Sequence, residues 1–143
     1  MHTIGFTQTT AENFFLRLLE AKTKHVIDVR LNNKSQLAGF AKSRDLKYFL
    51  DSIGGIKYIH EPLLAPTQEI FTKYKKEKGE WSIFESQFIE LMDRRKIDKE
   101  FSPDFFEDGC LLCSEKTHHH CHRRLITEFL TERWNVPISI KHL

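Results

Sequence analysis

Between Cys110 and Arg124 the sequence reads Cys-Leu-Leu-Cys-Ser-Glu-Lys-Thr-His-His-His-Cys-His-Arg-Arg, placing all three cysteines, four of the eight histidines, one glutamate and two arginines in fifteen positions. Thiols beside imidazoles and a carboxylate are the side-chain types of nucleophilic catalysis, because a neighbouring base or cation draws a thiol toward the thiolate that attacks. Cys121 leads into the amphipathic run of a helix, where free N–H groups and the helix dipole favour an anion and lower a thiol's pKa. Cys121 beside His122 is therefore one reactive-thiol candidate. Cys113, at the end of an apolar strand-like run, is the second. Glu115 or His122 would carry the proton, and Arg123 and Arg124 would add charge-assisted hydrogen bonds to a phosphate or carboxylate.

Each of these residues also has a structural reading. Cys110 lies inside the apolar run and reads as core, since free cysteine is among the most buried residue types. Glu115 and Arg123 could pair with each other, or with Asp28 and Arg30, in a network that catalyses nothing. His118, His119 and His120 read as an exposed loop tip. Zinc has to be weighed, since Cys110-x2-Cys113 followed by Cys121-His122 counts as four ligands. Leu111-Leu112 argues against it: an extended strand points residues three apart to opposite faces, whereas a zinc knuckle needs a tight turn. Neither a metal nor another cofactor is expected. The phosphatase pattern Cys-x5-Arg fails, because His119 stands six beyond Cys113 and Thr127 six beyond Cys121. A Gly-rich nucleotide fingerprint is not present.

The elements that must position these residues alternate along the chain. His2 to Phe6 is short and β-compatible, and Thr9 with Glu12 forms a capping-box pattern ahead of a helix carrying Phe14, Phe15, Leu18 and Leu19. His25 to Arg30 reads as a buried parallel strand whose Asp28 and Arg30 must sit near its end, since charge inside a sheet is costly. Leu31 to Lys42 reads as a long loop, and Ser43 caps a helix that Gly54-Gly55 ends. Ile56 to His60 resumes a strand, and Thr67 to Lys78 is helix-compatible. Trp81, Phe84, Phe88, Leu91 and Met92 make a further helical stripe. Cys110 to Cys113 is strand-like, His122 to Trp134 is helical, and Val136, Ile138 and Ile140 alternate as a last strand with Pro137 at a sheet edge.

Strand-helix alternation from end to end predicts one α/β domain over residues 1–143. Its expected architecture is a three-layer, Rossmann-like sandwich around a mostly parallel sheet of about five strands. In such a sheet ligands bind where strand ends meet helix starts. The loop after Phe6 with Thr7, the Asp28/Arg30 pair, His60 and the Cys113 to Arg124 segment should then share one rim.

Composition bounds the function. A hydrophobic content of 40%, charged residues at 29% and twelve phenylalanines read as a globular domain. A formal net charge of +2 gives little support for nucleic acid as partner. The first residues lack a basic segment followed by a long apolar one, and no apolar run approaches a bilayer span, so a cytoplasmic protein without a membrane partner is expected. An odd number of clustered cysteines does not make a secreted disulfide framework.

The pieces Thr3-Ile-Gly-Phe-Thr7, Ile27-Asp-Val-Arg30, Ser35-Gln-Leu-Ala-Gly-Phe40, Tyr58-Ile-His60 and Leu112-Cys-Ser-Glu115 with Cys121-His-Arg-Arg124 together resemble the domain-of-unknown-function 488 family. The resemblance runs from the first strand to the last and implies a compact α/β domain, with no established activity. Much of that family looks like Thr-Ile-Gly-His-Ser in its first motif, where this chain has Phe6 and Thr7. Three readings of the rim follow. The first is a thiol-dependent hydrolase or transferase, with Cys113 or Cys121 as nucleophile and Thr7, Asp28, Arg30, Arg123 and Arg124 around an anionic small molecule or nucleotide. The second is a non-catalytic module that binds a nucleotide, nucleic acid or protein. The third is a purely structural network.

Overall fold

The structure, a computed structural model, describes residues 1–34 and 38–143, so the Ser35-Gln-Leu part of the third motif lies outside the described residues. Five strands form one all-parallel sheet: β1 (His2–Gly5), β2 (His25–Asp28), β3 (Lys57–His60), β4 (Gly109–Cys113) and β5 (Lys141–His142), in the order β3-β2-β4-β1-β5. Among the described residues six α-helices connect them: α1 (Ala11–Glu20), α2 (Ser43–Gly54), α3 (Gln68–Lys75), α4 (Trp81–Arg94), α5 (Ile97–Glu100) and α6 (His122–Trp134). The expected three-layer α/β architecture is the one observed. None of the described helices is long and apolar enough to cross a membrane.

The order explains the layers. The connections through α1 and α2 run toward the β3 edge, whereas those through α3–α5 and α6 run the other way. Right-handed crossovers then require the two sets to cover opposite faces. The core divides accordingly. Ile4, Val26, Cys110 and Leu112 pack with α1 and α2, while Ile27, Val29 and Leu111 pack with Phe84, Phe88, Met92, Ile126 and Phe129. Neighbouring strand residues thus feed opposite cores, the period of two that a pleat imposes. β4 lies in the middle with strands on both sides, which is why Gly109 to Cys113 is buried throughout.

Most sequence boundaries hold to a residue or two, and the exceptions have local causes. Thr10, not Thr9, caps α1: its side chain accepts from the Asn13 N–H at 3.1 Å, while Thr9 Oγ1 donates to Asn13 Oδ1. Ser43 is the first residue of α2, not its cap, and Gly55 ends that helix in the left-handed conformation at φ 60°. The expected last strand over Val136, Ile138 and Ile140 does not form. Pairing is confined to Lys141 and His142, opposite His2 and Thr3. Val136 is exposed, and Pro137 has no N–H to give a ladder, so the stretch serves as the return from α6 to the sheet edge.

Candidate functional site

Cys113 closes the central strand at its carboxyl end, opposite Gly5 of β1; on the other side the ladder runs on to Val29, whose N–H donates to Leu112 O at 3.1 Å. From there the chain must turn out of the sheet and return to start α6, and three contacts fix that turn. Thr7 donates to Ser114 O from both its N–H (3.1 Å) and its hydroxyl (2.5 Å). Arg123, 1% exposed, drives its guanidinium under the loop and donates to Glu115 O at 2.6 Å and Lys116 O at 3.4 Å. Gly5 leaves room for the Glu115 carbonyl, which a Cβ at that position would meet at 1.8 Å. The loop is therefore clamped from β1 and from α6 together.

This clamp delivers Cys121 and His122 to Cys113. The two sulfurs and a ring nitrogen of His122 lie within 4.8 Å of one another, and all three residues are buried. His122 Nε2 lies 2.8 Å from Val29 O. A carbonyl only accepts, so Nε2 carries a proton and Nδ1 faces Cys113 Sγ, 3.6 Å away. Phe88 packs edge-on against the same ring at 5.5 Å. Cys121 Sγ lies within 4.8 Å of Cys113 Sγ, and it and the Glu115 N–H both act on the protonation of that sulfur.

These donors set the protonation. The Cys121 hydrogen bond, followed by the His122 charge and the Glu115 N–H, holds Cys113 well below the usual thiol range despite burial, which acts the other way. Burial pushes Cys121 up, and sharing its proton with Cys113 pushes it further, although Arg123 donates to its sulfur at 3.5 Å. The helix start at Cys121 does not outweigh those two effects. His122 is raised: burial would lower it, but the Cys113 charge and hydrogen bond and the Val29 carbonyl together outweigh burial. These directions favour the negative charge on Cys113 over Cys121 and the proton on His122.

The other residues singled out in the sequence fall around this centre. Asp28 and Arg30, 0% and 2% exposed, form a buried ion pair of 2.5 Å at the end of β2. Arg30 Nε donates to the same carboxylate at 2.7 Å, Tyr58 donates to it at 2.6 Å, and Arg30 also donates to Ala41 O at 2.8 Å. Burial and the Asp28 charge push the Tyr58 phenol up, so it stays a donor. Glu115 binds Lys75 at 2.5 Å, and Arg124 binds Glu85 at 2.7 Å while lying over Trp81. His60 reaches Arg30 O at 3.3 Å. Cys110 lies in the opposite core, where burial pushes its thiol up, so the four-ligand zinc set does not assemble. His119 and His120 are exposed as expected. His118 is half-buried and stacks on His142 at 3.7 Å, and burial with the neighbouring cationic groups lowers His142 to about 4.

In front of Cys113 and His122 a cleft of about 260 Å³ opens between the strand ends and the α3–α4 pair. Its wall is aromatic: Phe71 and Tyr74 from α3, and Trp81 and Phe84 from α4, with His120 stacked on Trp81 at 5.1 Å. Arg30, Lys75 and Glu115 supply its polar side. The α4 stripe is legible in the sequence, but this wall is not. Phe71/Tyr74 and Trp81/Phe84 each recur at a spacing of three, and that periodicity is the same for a face that fills a core and one that lines a cleft.

The family model described as domain of unknown function DUF488 matches residues 10–130. No curated protein and no solved structure matches the chain. The match takes in the Asp28/Arg30 strand end, the loop from Cys113 and the start of α6, and the chain belongs to the DUF488 family.

Proposed function

We propose that this protein is a thiol-dependent hydrolase or transferase in which Cys113 is the nucleophile and His122 the proton carrier. The observation that carries the reading is the Cys113 Sγ to His122 Nδ1 contact of 3.6 Å, with the imidazole oriented by Val29 O. A nucleophile, a base and a third group that fixes the base form the triad logic of covalent catalysis. Glu115 is set aside as proton carrier because its carboxylate is engaged by Lys75.

In this reading an ester or thioester places its carbonyl carbon over Cys113 and its apolar acyl part against Trp81 and Phe84. An apolar cleft of ~150 Å³ already accommodates benzene, so the volume here suits a ring-sized group with its carbonyl. The thiolate attacks the carbon, and the bond to the leaving oxygen or sulfur breaks. That leaving atom takes the Nδ1 proton of His122. His122, now neutral, then draws a proton from water or from an acceptor alcohol, which releases the acyl group and restores the pair. Besides His122, Arg30 and Lys75 are the cations that line the cleft among the described residues, and each already faces a carboxylate, which favours a neutral acyl group over a phosphate.

The test is pre-steady-state release of 4-nitrophenol from 4-nitrophenyl acetate at neutral pH. The expected result is a burst of about one equivalent per chain, as acyl-enzyme formation requires, with the acetyl group mapped to Cys113 and the burst absent in Cys113→Ser. Acetylation spread over surface lysines with no burst, unchanged in Cys113→Ser, would contradict the assignment.

A further inference from the structure

Cys121 is not needed as a second nucleophile in the chemistry above, yet it lines the same cleft and its sulfur lies within 4.8 Å of the Cys113 sulfur. Its own sulfur accepts from Arg123 at 3.5 Å, a cation that would stabilise negative charge there. Cys110, the remaining thiol, is sealed in the opposite core. We infer that Cys113 and Cys121 form a reactive pair that reduces a small hydroperoxide and closes into a disulfide. Cys113 is the thiolate that attacks the hydroperoxide, and Cys121 the thiol that resolves the product. The inference rests on the assignment of Cys113 as nucleophile.

The chemistry balances within the residues named. The Cys113 thiolate attacks the terminal oxygen of the hydroperoxide, the O–O bond breaks, and sulfur gives up two electrons to become a sulfenic acid. The departing alkoxide or hydroxide takes the Nδ1 proton of His122. Neutral His122 then accepts the Cys121 proton, and Arg123 holds the resulting thiolate. Cys121 attacks the Cys113 sulfur, the S–O bond breaks, and hydroxide leaves as water with the His122 proton. The products are one alcohol or water from the peroxide, one water and the disulfide.

Geometry favours the second step over further oxidation. The two sulfurs already lie within 4.8 Å, and rotation about the Cys121 Cα–Cβ bond has to bring them to the ~2.05 Å of an S–S bond. Cys121 stands at the cap of α6 with extended backbone; its carbonyl accepts from the Arg124 N–H at 3.0 Å, but its side chain makes no capping hydrogen bond that would hold its rotamer. Disulfide formation would remove the nucleophile reversibly, making the proposed acyl chemistry sensitive to peroxide.

The experiment uses the full chain and hydrogen peroxide itself. On adding one equivalent, the expected result is loss of two titratable thiols, recovery on adding dithiothreitol, and a Cys113–Cys121 link in non-reduced peptide maps, where cleavage after Lys116 separates the two cysteines. The rate should exceed that of free cysteine at pH 7 by about 10-fold, the gain expected from a fully ionised thiol after allowance for its lower nucleophilicity. In Cys121→Ser, oxidation should stop at a dimedone-reactive sulfenic acid on Cys113. A Cys113 that proceeds to sulfinic acid in the native chain without forming the link would overturn the pairing. Should Cys121→Ser fail to fold, the map of the native chain decides alone. A normal ester burst with no disulfide would sink this inference and leave the acyl chemistry standing, whereas absence of both would sink the two together.

Discussion

Gly5→Ala should destabilise the protein by about 3 kcal/mol or more, at the upper end of what overpacking costs, and should abolish the reactivity of Cys113 with it. The added Cβ would sit 1.8 Å from Glu115 O, and that atom is backbone, so no side chain can swing away. Moving the carbonyl breaks the 2.6 Å bond from Arg123, the peg under the loop. The displaced loop carries the Glu115 N–H and Cys121, both of which hold the Cys113 thiolate. Urea unfolding and the ester burst together read the two effects. Gly39→Ala is the control: a Cβ there meets nothing within 4 Å among the described residues, and its cost should stay within about 0.5 kcal/mol. A Gly5→Ala chain as stable and as reactive as the native one would show that the loop does not depend on this close approach.

Asp28→Ala is the second large effect, expected at about 3–5 kcal/mol, because removing one partner strands the other charge in the interior. Arg30 is 2% exposed and loses both its Nε and its Nη2 contact. The Tyr58 hydroxyl loses its acceptor at the same time. Adding Arg30→Met to Asp28→Ala should restore part of the loss, since a buried pair can often be replaced by apolar groups at little cost. Urea unfolding of the single and double variants tests this. A loss below about 1 kcal/mol for Asp28→Ala, the range of a solvent-exposed pair, would mean that the pair is not sealed as described.

These two positions also mark how far the sequence could be read. The cost of charge inside a sheet puts Asp28 and Arg30 near a strand end, and Asp28 closes β2 with Arg30 two residues beyond it. Cys110 was assigned to the core from its apolar neighbours, and it lies there. Gly5 carried no such signal: its importance comes from a carbonyl more than a hundred positions away, and only the strand order, which no periodicity encodes, brings β1 beside β4. Arg123 reads in the sequence as an anion ligand or as an ion-pair partner of Glu115, whereas its guanidinium is buried against two carbonyls, with Nε lacking a partner among the described residues. The alternation Val136-Pro-Ile-Ser-Ile140 mimicked a strand because alternation records where side chains point, not whether a neighbouring backbone is there to pair. At Cys121 the helix start was expected to favour a thiolate. Two sulfurs that share one proton put the charge where more donors converge, and that competition needs the folded loop to be seen.

Which sulfur bears the negative charge decides the chemistry, and the 13Cβ shifts of the three cysteines followed by NMR against pH answer that residue by residue. A thiol loses its proton as pH rises, so a depressed pKa means that the thiolate is already formed at neutrality and is lost only on acidification. The predicted result is a Cys113 midpoint well below the ordinary thiol value of about 8.5, with Cys121 and Cys110 still protonated at that value and the Cys113 midpoint moving upward in His122→Gln. A Cys113 that titrates at or above the ordinary value, or a Cys121 that ionises first, would contradict it.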